Sequence, residues 1–405
     1  MNPITVIGIG EDGLDGLSKA ARDAIDAADV IVGGARHLAM LSDHDDCEQL
    51  VWEKGLEPTV TTIEERKHTQ RVVVLASGDP LMHGIGVKLT ARLGAEAVNV
   101  LPSVSAFSLA AARMGWALAD PMLRCVSVHA LPFETLNRVI RPGVRLLILS
   151  RTGETPAQIA TRLDLLGYGD SVVTVLERMG GVEEKRTEAR ASDGFQASFE
   201  NLNTVAVECV AGPDARPLST APGLPDDAFD HDGTITKSDV RAVTLSALAP
   251  LPGELLWDVG AGSGTVAIEW LRAEPAARAV AFEQRPERVE AIRTNANTLG
   301  VPSLRIVEGS APTCLQGEDT PDAIFVGGGI AGDSGVLQVC LSALKPGGRL
   351  VANAVTLEAQ AVLMEQSKLS GGHLVRIGIA AAEPVGGLTA LKPALDVLQW
   401  RIAKS

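Results

Sequence analysis

Leu255-Leu256-Trp257-Asp258-Val259-Gly260-Ala261-Gly262-Ser263-Gly264-Thr265-Val266-Ala267-Ile268-Glu269 decides the fold of the second half of the chain. An apolar run ends in an acid and three alternating glycines. Val266, Ala267, Trp270 and Leu271 follow at helical spacing, so the stretch reads as strand, tight turn, helix. Glycine lets the backbone approach a ligand with no Cβ in the way, and a helix start offers unpaired N–H groups to something polar. The spacing then discriminates among nucleotides. A dinucleotide fingerprint, G-x-G-x-x-G, needs a third glycine where Thr265 stands, whereas the chain reads G-x-G-x-G. The next strand, Ala279-Val280-Ala281-Phe282, ends in Glu283, an acid placed to accept hydrogen bonds from both hydroxyls of a ribose. With no pyrophosphate pattern, the adenosine of S-adenosylmethionine fits this turn better than NAD does. A glycine turn that serves only to pack helix on strand is the plainer alternative.

The chain has 405 residues, 46% hydrophobic and 21% charged, which suits a globular protein with two cores. A formal charge of −14 argues against general binding to nucleic acid or anionic membranes, so an anionic substrate must be met by local Arg and Lys. Met1-Asn2-Pro3-Ile4-Thr5-Val6 runs into a strand with no basic leader, and no apolar run approaches the ~18 residues of a membrane span, so a cytoplasmic location is expected. The five cysteines, Cys47, Cys125, Cys209, Cys314 and Cys340, show no C-x-x-C pairing and read as reduced thiols. No metal site is expected: the nearest approach, Asp43-His44-Asp45-Asp46, reads as a solvated loop.

The first half opens on Ile4-Thr5-Val6-Ile7-Gly8-Ile9-Gly10-Glu11-Asp12-Gly13, a strand with a literal G-x-G-x-x-G. Its context is wrong for a dinucleotide. After a helix over 18–28, the strand Val30-Ile31-Val32 ends in Gly33-Gly34 instead of an acid. Further on, Val72-Val73-Val74-Leu75-Ala76 reads as a buried strand that runs into Ser77-Gly78-Asp79-Pro80-Leu81-Met82-His83. Val98-Asn99-Val100-Leu101-Pro102-Ser103-Val104-Ser105-Ala106 repeats the plan, with Ser105 either capping the following helix or touching a ligand. Loops at the carboxyl ends of such strands are where these sheets bind ligands.

These three turns, in this order and spacing, resemble the tetrapyrrole methyltransferase family. Val126-Ser127-Val128-His129 as a central strand, Leu146-Leu147-Ile148-Leu149 as another, and Val175-Leu176-Glu177-Arg178-Met179-Gly180 agree with it. The resemblance implies a two-lobed α/β module with S-adenosylmethionine between its lobes. It carries cofactor contacts onto Ser77, Gly78, Asp79, Met82, Ser105 and Ala106. In Val32-Gly33-Gly34-Ala35-Arg36-His37-Leu38, Arg36 and His37 are candidates for substrate carboxylates, with an exposed pair at a helix start as the alternative. One turn departs: the family's Gly-Pro-Gly is Gly10-Glu11-Asp12-Gly13 here, which leaves the cofactor role of that loop open.

Residues 211–232, rich in Pro, Gly and Asp without periodicity, read as a linker between domains at 1–210 and 233–405, and their tail could fold back over the second. In the second domain Val240, Val243, Ala247 and Leu248 mark a helix with Thr236 at its N-terminal side. Strands and helices then alternate as in a doubly wound, mainly parallel sheet, with a strand near 374–382 and a last one at 395–401 forming an antiparallel edge pair through Pro384-Val385-Gly386-Gly387-Leu388. This half is similar to the Rossmann-like S-adenosylmethionine methyltransferases, and within them to the decarboxylating precorrin methylases. Thr236-Lys237-Ser238-Asp239-Val240-Arg241, Glu308-Gly309-Ser310-Ala311-Pro312 and Gly327-Gly328-Gly329 narrow it. Carried across, the cofactor residues are Thr236, Gly260, Ala261, Gly262, Ser263, Gly264, Glu283 and Ala311. Gly327, Gly328 and Gly329 would leave a roomy floor for a flat macrocycle. Lys237, Arg241 and Arg285 are candidates for its carboxylates, each with plain surface charge as the alternative.

The two resemblances together imply methylation of a precorrin at carbons 5 and 15, with loss of carbon dioxide from the acetate on carbon 12. The modules' relatives imply a homo-oligomer. No catalytic base emerges; His83 and His129 are the available candidates, against a core role for each. Two other readings stay open: a nicotinamide-dependent oxidoreductase and a non-catalytic tetrapyrrole-binding protein. The first is disfavoured by Thr265 and by the missing acid after Val32.

Overall fold

The computed structural model describes residues 4–41, 47–52, 56–196, 198–331 and 335–404; Asp43-His44-Asp45-Asp46 therefore lies outside the described residues. The chain divides into two compact units, Met1–Pro132 with Ile140–Arg216, and Phe133–Val139 with Pro217–Ser405. Among the described residues no helix is long and apolar enough to cross a membrane.

The first unit holds two sheets. β1 (Ile4–Ile9), β2 (Val30–Gly33), β3 (Glu48–Val51), β4 (Val72–Ser77) and β5 (Val98–Leu101) form a parallel sheet in the order β3-β2-β4-β1-β5. β4 shows why it sits at the centre: Val72, Val73, Val74, Leu75 and Ala76 are all buried, which needs both faces covered. The parallel pairing of β4, β1 and β5 brings the turns that follow them to one edge. β6 (Leu123–Ser127), β7 (Arg145–Leu149), β8 (Val172–Glu177), β9 (Lys185–Arg190) and β10 (Asn203–Glu208) make a mixed sheet in the order β6-β7-β10-β8-β9. The strand expected at its centre around Val126 lies at its edge and stops at Ser127. There the chain turns, with the Ala130 N–H donating to Ser127 Oγ (3.3 Å), which leaves Val128 and His129 beyond it. Arg124 and Cys125 within the strand face solvent, as an edge position allows.

In the second unit, β11 (Leu255–Val259), β12 (Arg278–Glu283), β13 (Arg305–Glu308), β14 (Ala323–Val326) and β15 (Arg349–Ala354) are parallel, as alternating helices require. β16 (His373–Ile377), β17 (Ala380–Val385), β18 (Leu388–Pro393) and β19 (Val397–Ala403) follow, and the full sheet runs β13-β12-β11-β14-β15-β19-β16. The expected edge pairing is present between β16 and β19, both antiparallel, but the last strand is the inner one. The single strand expected over 374–382 is two, and the Pro384–Leu388 turn closes a separate hairpin of β17 and β18 whose residues are all exposed. Buried Thr244, Asn353 and Gln399 explain the placing of β19. Asn353 Nδ2 donates to Thr244 Oγ1 (3.0 Å), and Gln399 Nε2 donates to Thr244 Oγ1 (3.1 Å) and Asn353 Oδ1 (2.8 Å), so every slip of register would strand polar atoms.

The segment expected as a linker is divided at Arg216, and from Pro217 it belongs to the second unit. Leu224 and Phe229 are buried there in the core that also holds Trp270 and Ile292.

Candidate sites in the two units

In the first unit the turns after β1, β4 and β5 crowd together. A Cβ on Gly8 would lie 1.9 Å from the Gly78 carbonyl oxygen and 2.6 Å from the Ser103 nitrogen. Gly78 has φ +58°, and a Cβ there would meet the Val104 oxygen at 3.1 Å, so the turn is built for glycine. Asp79 Oδ1 accepts the Leu81 N–H at 2.8 Å, an Asx turn that leaves Met82 and His83 exposed. Ser105 caps the helix Ala106–Met114: its Oγ accepts the Ser108 N–H at 3.1 Å.

Ser77 Oγ accepts from Arg36 Nη2 at 3.0 Å and lies 3.0 Å from His37 Nε2. His37 is 8% exposed, not the exposed neighbour of Arg36 the alternative required. Burial, and then the Arg36 guanidinium, hold its imidazole down at about 4, so it is neutral near pH 7. Arg36 also pairs with Glu11, the residue at which the first turn departs from the family pattern. Glu11 in turn meets the loop after β8: a Cβ on Gly181 would lie 2.8 Å from Glu11 Cβ. The structure thus brings Arg36, His37, Ser77 and Glu11 together at the edge where Gly78, Asp79, Met82, Ser105 and Ala106 stand. His83 and His129 are both exposed, and the His83 ring stands edge-on to buried Phe107 with centroids 6.3 Å apart.

In the second unit the glycine turn has three distinct surroundings. Gly260, Gly262 and Gly264 have φ of +70°, +60° and +76°. A Cβ on Gly260 would press on Gly328 at 3.1–3.2 Å, and one on Gly264 would lie 2.8 Å from Ile292 Cγ2, whereas one on Gly262 would meet nothing within 4 Å. Gly260 and Gly264 are therefore glycines of packing, and Gly262 faces open space. Glu283, 4% exposed at the end of β12, reaches back over the turn: Oε2 accepts the Gly262 N–H (2.8 Å), and Oε1 accepts those of Gln284 and Arg285 (3.0 Å each). Beneath it, Asp258 Oδ2 accepts the Ala267 N–H at 2.9 Å while its buried Oδ1 has no hydrogen-bond partner among the described residues. Burial pushes its carboxyl up to about 7, against the Ala267 hydrogen bond and with some help from Glu283.

Gly327 and Gly328 lie against this turn, the Gly327 N–H donating to the Val259 oxygen at 3.0 Å; among the described residues nothing lies within 4 Å of a Cβ on Gly329. Ala311 follows β13 and packs against the β11–β14 side of the core. Lys237 is exposed and 3.4 Å from Asp226, and Arg285 is exposed at the start of the helix Pro286–Thr298. Arg241 must be taken off the list of substrate residues. It is fully buried, with Nε donating to Glu269 Oε1 at 2.6 Å and Nη atoms donating to the carbonyls of Thr236 and Leu224. With Asp226 Oδ1 also 3.4 Å from Nη1 and 3.5 Å from Nη2, all five N–H donors of the guanidinium have protein acceptors, which leaves none for a substrate carboxylate.

Asn295 is the residue that the motif reading missed. It is 2% exposed; its Nδ2 donates to the Ser263 oxygen (3.0 Å) and the Asp230 oxygen (2.9 Å), and its Oδ1 accepts the Asp230 N–H (2.7 Å). The available signal was positional, an amide on the Val289, Ile292, Ala296 face of a helix, where apolar residues belong.

Two sheets of this kind, each with glycine turns gathered at the carboxyl ends of its strands, define a chain of two methyltransferase modules. The family of tetrapyrrole (corrin/porphyrin) methylases matches residues 3–193, and the precorrin methyltransferase domain matches 227–404. A Sinorhizobium sp. protein named precorrin-6Y C(5,15)-methyltransferase [decarboxylating] is 47% identical over 401 residues, covering 99% of this chain and 96% of that one. The chain belongs to this decarboxylating precorrin-6Y C(5,15)-methyltransferase family. Two shorter relatives divide the name between them. The cobalt-precorrin-7 C(5)-methyltransferase of Salmonella typhimurium is 31% identical over 204 residues, 50% of this chain and 98% of that one. The probable cobalt-precorrin-6B C(15)-methyltransferase (decarboxylating) of Pyrobaculum aerophilum is 33% identical over 178 residues, 42% of this chain and 91% of that one. Family membership sets aside both the oxidoreductase and the non-catalytic reading.

Proposed function

We propose that the chain methylates precorrin-6Y at carbons 5 and 15 and removes carbon dioxide from the carbon-12 acetate, with S-adenosylmethionine as methyl donor in each unit. The observation that carries the reading is identity of 47% across 99% of the chain with a protein bearing that name. The existence of separate half-length relatives named for carbon 5 and carbon 15 supports one methylation per unit, carbon 5 in the first and carbon 15 with decarboxylation in the second.

The residues suit the donor. In the second unit the open face of Gly262 and the carboxylate of Glu283 would hold the adenosine, with Thr236 and Ala311 beside it; in the first, Ser77, Gly78, Asp79, Met82, Ser105 and Ala106 form the corresponding edge. When bound, S-adenosylmethionine supplies an electrophilic sulfonium methyl. A reduced precorrin meso carbon is enamine-like and already nucleophilic, so the chain's work is to orient it and keep water out, and near-attack placement at about 3–3.5 Å accounts for much of the acceleration. Arg36 and Lys237 would meet acidic side chains of the macrocycle. Breaking the bond to the carboxylate releases carbon dioxide and leaves an electron pair that the conjugated ring delocalises; uptake of a proton at the remaining methylene then gives a methyl group on carbon 12, so the ring is its own electron sink.

Calorimetric titration of the intact chain with S-adenosylhomocysteine tests this. Two sites are expected, one weakened by Glu283→Ala and the other by Asp79→Ala. A single site lost only in Glu283→Ala would withdraw the donor from the first unit and confine the reading to the second.

A further inference from the structure

We infer that the segment Pro217 to Asp232 is a strap belonging to the second unit's cofactor site, and that Asn295 is the positioning residue that couples the strap to the glycine turn. The inference rests on the second unit holding S-adenosylmethionine at that turn.

The strap is fastened by buried charge. Glu269 accepts the N–H groups of Gly223 (2.6 Å) and Leu224 (2.9 Å), Arg241 donates to the Leu224 oxygen, and Arg272 Nη2 donates to the Ser219 oxygen at 2.9 Å. At its far end Arg288 grips Asp232 at 2.7 Å. The bonds named here hold the strap, and none of them ends on the turn. Asn295 touches both: it pairs with the N–H and the carbonyl of Asp230 and, through the same Nδ2, with the carbonyl of Ser263 between Gly262 and Gly264. The bond to Ser263 is buried, so losing it leaves a polar group unmet, and the two to Asp230 are partly buried. Ile292, one helical turn earlier, presses on Gly264, so one helix face sets the height of the turn and the seat of the strap together. The strap then runs on to Thr236, whose carbonyl is held by Arg241. A ligand that fixes the turn must also fix Asp230, and linkage makes the effect reciprocal.

Hydrogen exchange of the full chain, read on peptides covering 226–233 with and without saturating S-adenosylhomocysteine, tests the coupling. In the parent the ligand is expected to slow exchange there about fivefold or more. In Asn295→Ala the ligand should still bind, about tenfold more weakly, and leave exchange of 226–233 unchanged at saturation. Asn295→Asp keeps an acceptor for the Asp230 N–H but loses both donated bonds, and should behave the same way if Asn295→Ala folds poorly. If both variants exchange faster yet keep the parent's ligand response, Asn295 is structural only and the inference falls. It falls too if the parent binds ligand at a Glu283-dependent site with no change over 226–233. Absence of any Glu283-dependent binding overturns both this inference and the cofactor reading beneath it.

Discussion

The two units place comparable turns at the ends of parallel strands, yet they distribute the work differently along the chain. In the second unit one turn and the next strand end, residues 258–283, hold the acid, the open glycine and the buried carboxyl. In the first, Glu11, Arg36, Ser77 and Ser105 come from separate turns, and the loop after β8 in the other sheet closes against Glu11. A site concentrated in one stretch depends on what lies beneath that stretch. A site assembled from several turns depends on their mutual fit, and substitutions that probe support and fit should separate the two.

The largest effect is expected where support is ionic. Arg241→Ala leaves Glu269 buried without its guanidinium and frees the Leu224 and Thr236 carbonyls, so the second unit should lose about 3–5 kcal/mol. Thermal unfolding read on Trp257, Trp270 and Trp400, all buried in that unit, would register it. A variant that melts like the parent and loses only substrate affinity would return Arg241 to the substrate site.

Asp258→Asn should change the pH dependence of the same unit. The folded carboxyl holds its proton up to about pH 7, whereas the unfolded chain gives it up near 3.8. The native state therefore binds more protons between those values, and the parent loses stability as pH rises through that window. The amide keeps an acceptor for Ala267 and does not titrate, so it should gain on the order of 3 kcal/mol relative to the parent between pH 4 and pH 8. Parallel stability curves for parent and variant would place the Asp258 titration below the window.

Gly8→Ala probes fit in the first unit. The new Cβ meets backbone of both neighbouring turns, which cannot swing aside as a side chain would, so a cost of up to about 3 kcal/mol is expected. S-adenosylhomocysteine binding should weaken at the Asp79-dependent site and persist at the Glu283-dependent one. Loss at both would mean that the units do not bind independently.

The same contrast decides what the sequence could reveal. Gly260 to Gly264 and Glu283 were legible because alternate glycines after a strand, with an acid ending the next one, form a local pattern that the parallel pairing of β11 and β12 brings together. The fold class was legible for the same reason, through alternation of strand and helix. His37 reads either as a substrate contact or as half of an exposed pair with Arg36, because nothing local says that Ser77, forty residues on, will lie beside it. Arg241 reads as a candidate for substrate carboxylates because nothing local shows that Glu269, on another helix, will pair with it. The inner position of β19 was hidden since three polar side chains far apart in sequence, Thr244, Asn353 and Gln399, determine it.

The smallest effect on folding, and the sharpest on the comparison, belongs to Gly262→Ala. The methyl group would meet no atom of the described residues within 4 Å, so the expected cost to folding is a left-handed φ of +60° for a residue with a Cβ, about 1–2 kcal/mol. The Gly262 N–H that Glu283 accepts need not move. If the open side of this glycine is where the adenosine lies, the methyl group occupies ligand space, and affinity for S-adenosylhomocysteine at the Glu283-dependent site should fall about tenfold or more, beyond what the strain explains. Gly8→Ala should show the reverse proportion at the other site, stability lost first and binding lost with it. Parent-like affinity in Gly262→Ala would mean that the open face of the turn is not the ligand's side, and the adenosine would then have to lie toward Gly329, the other glycine of this edge whose Cβ position is open.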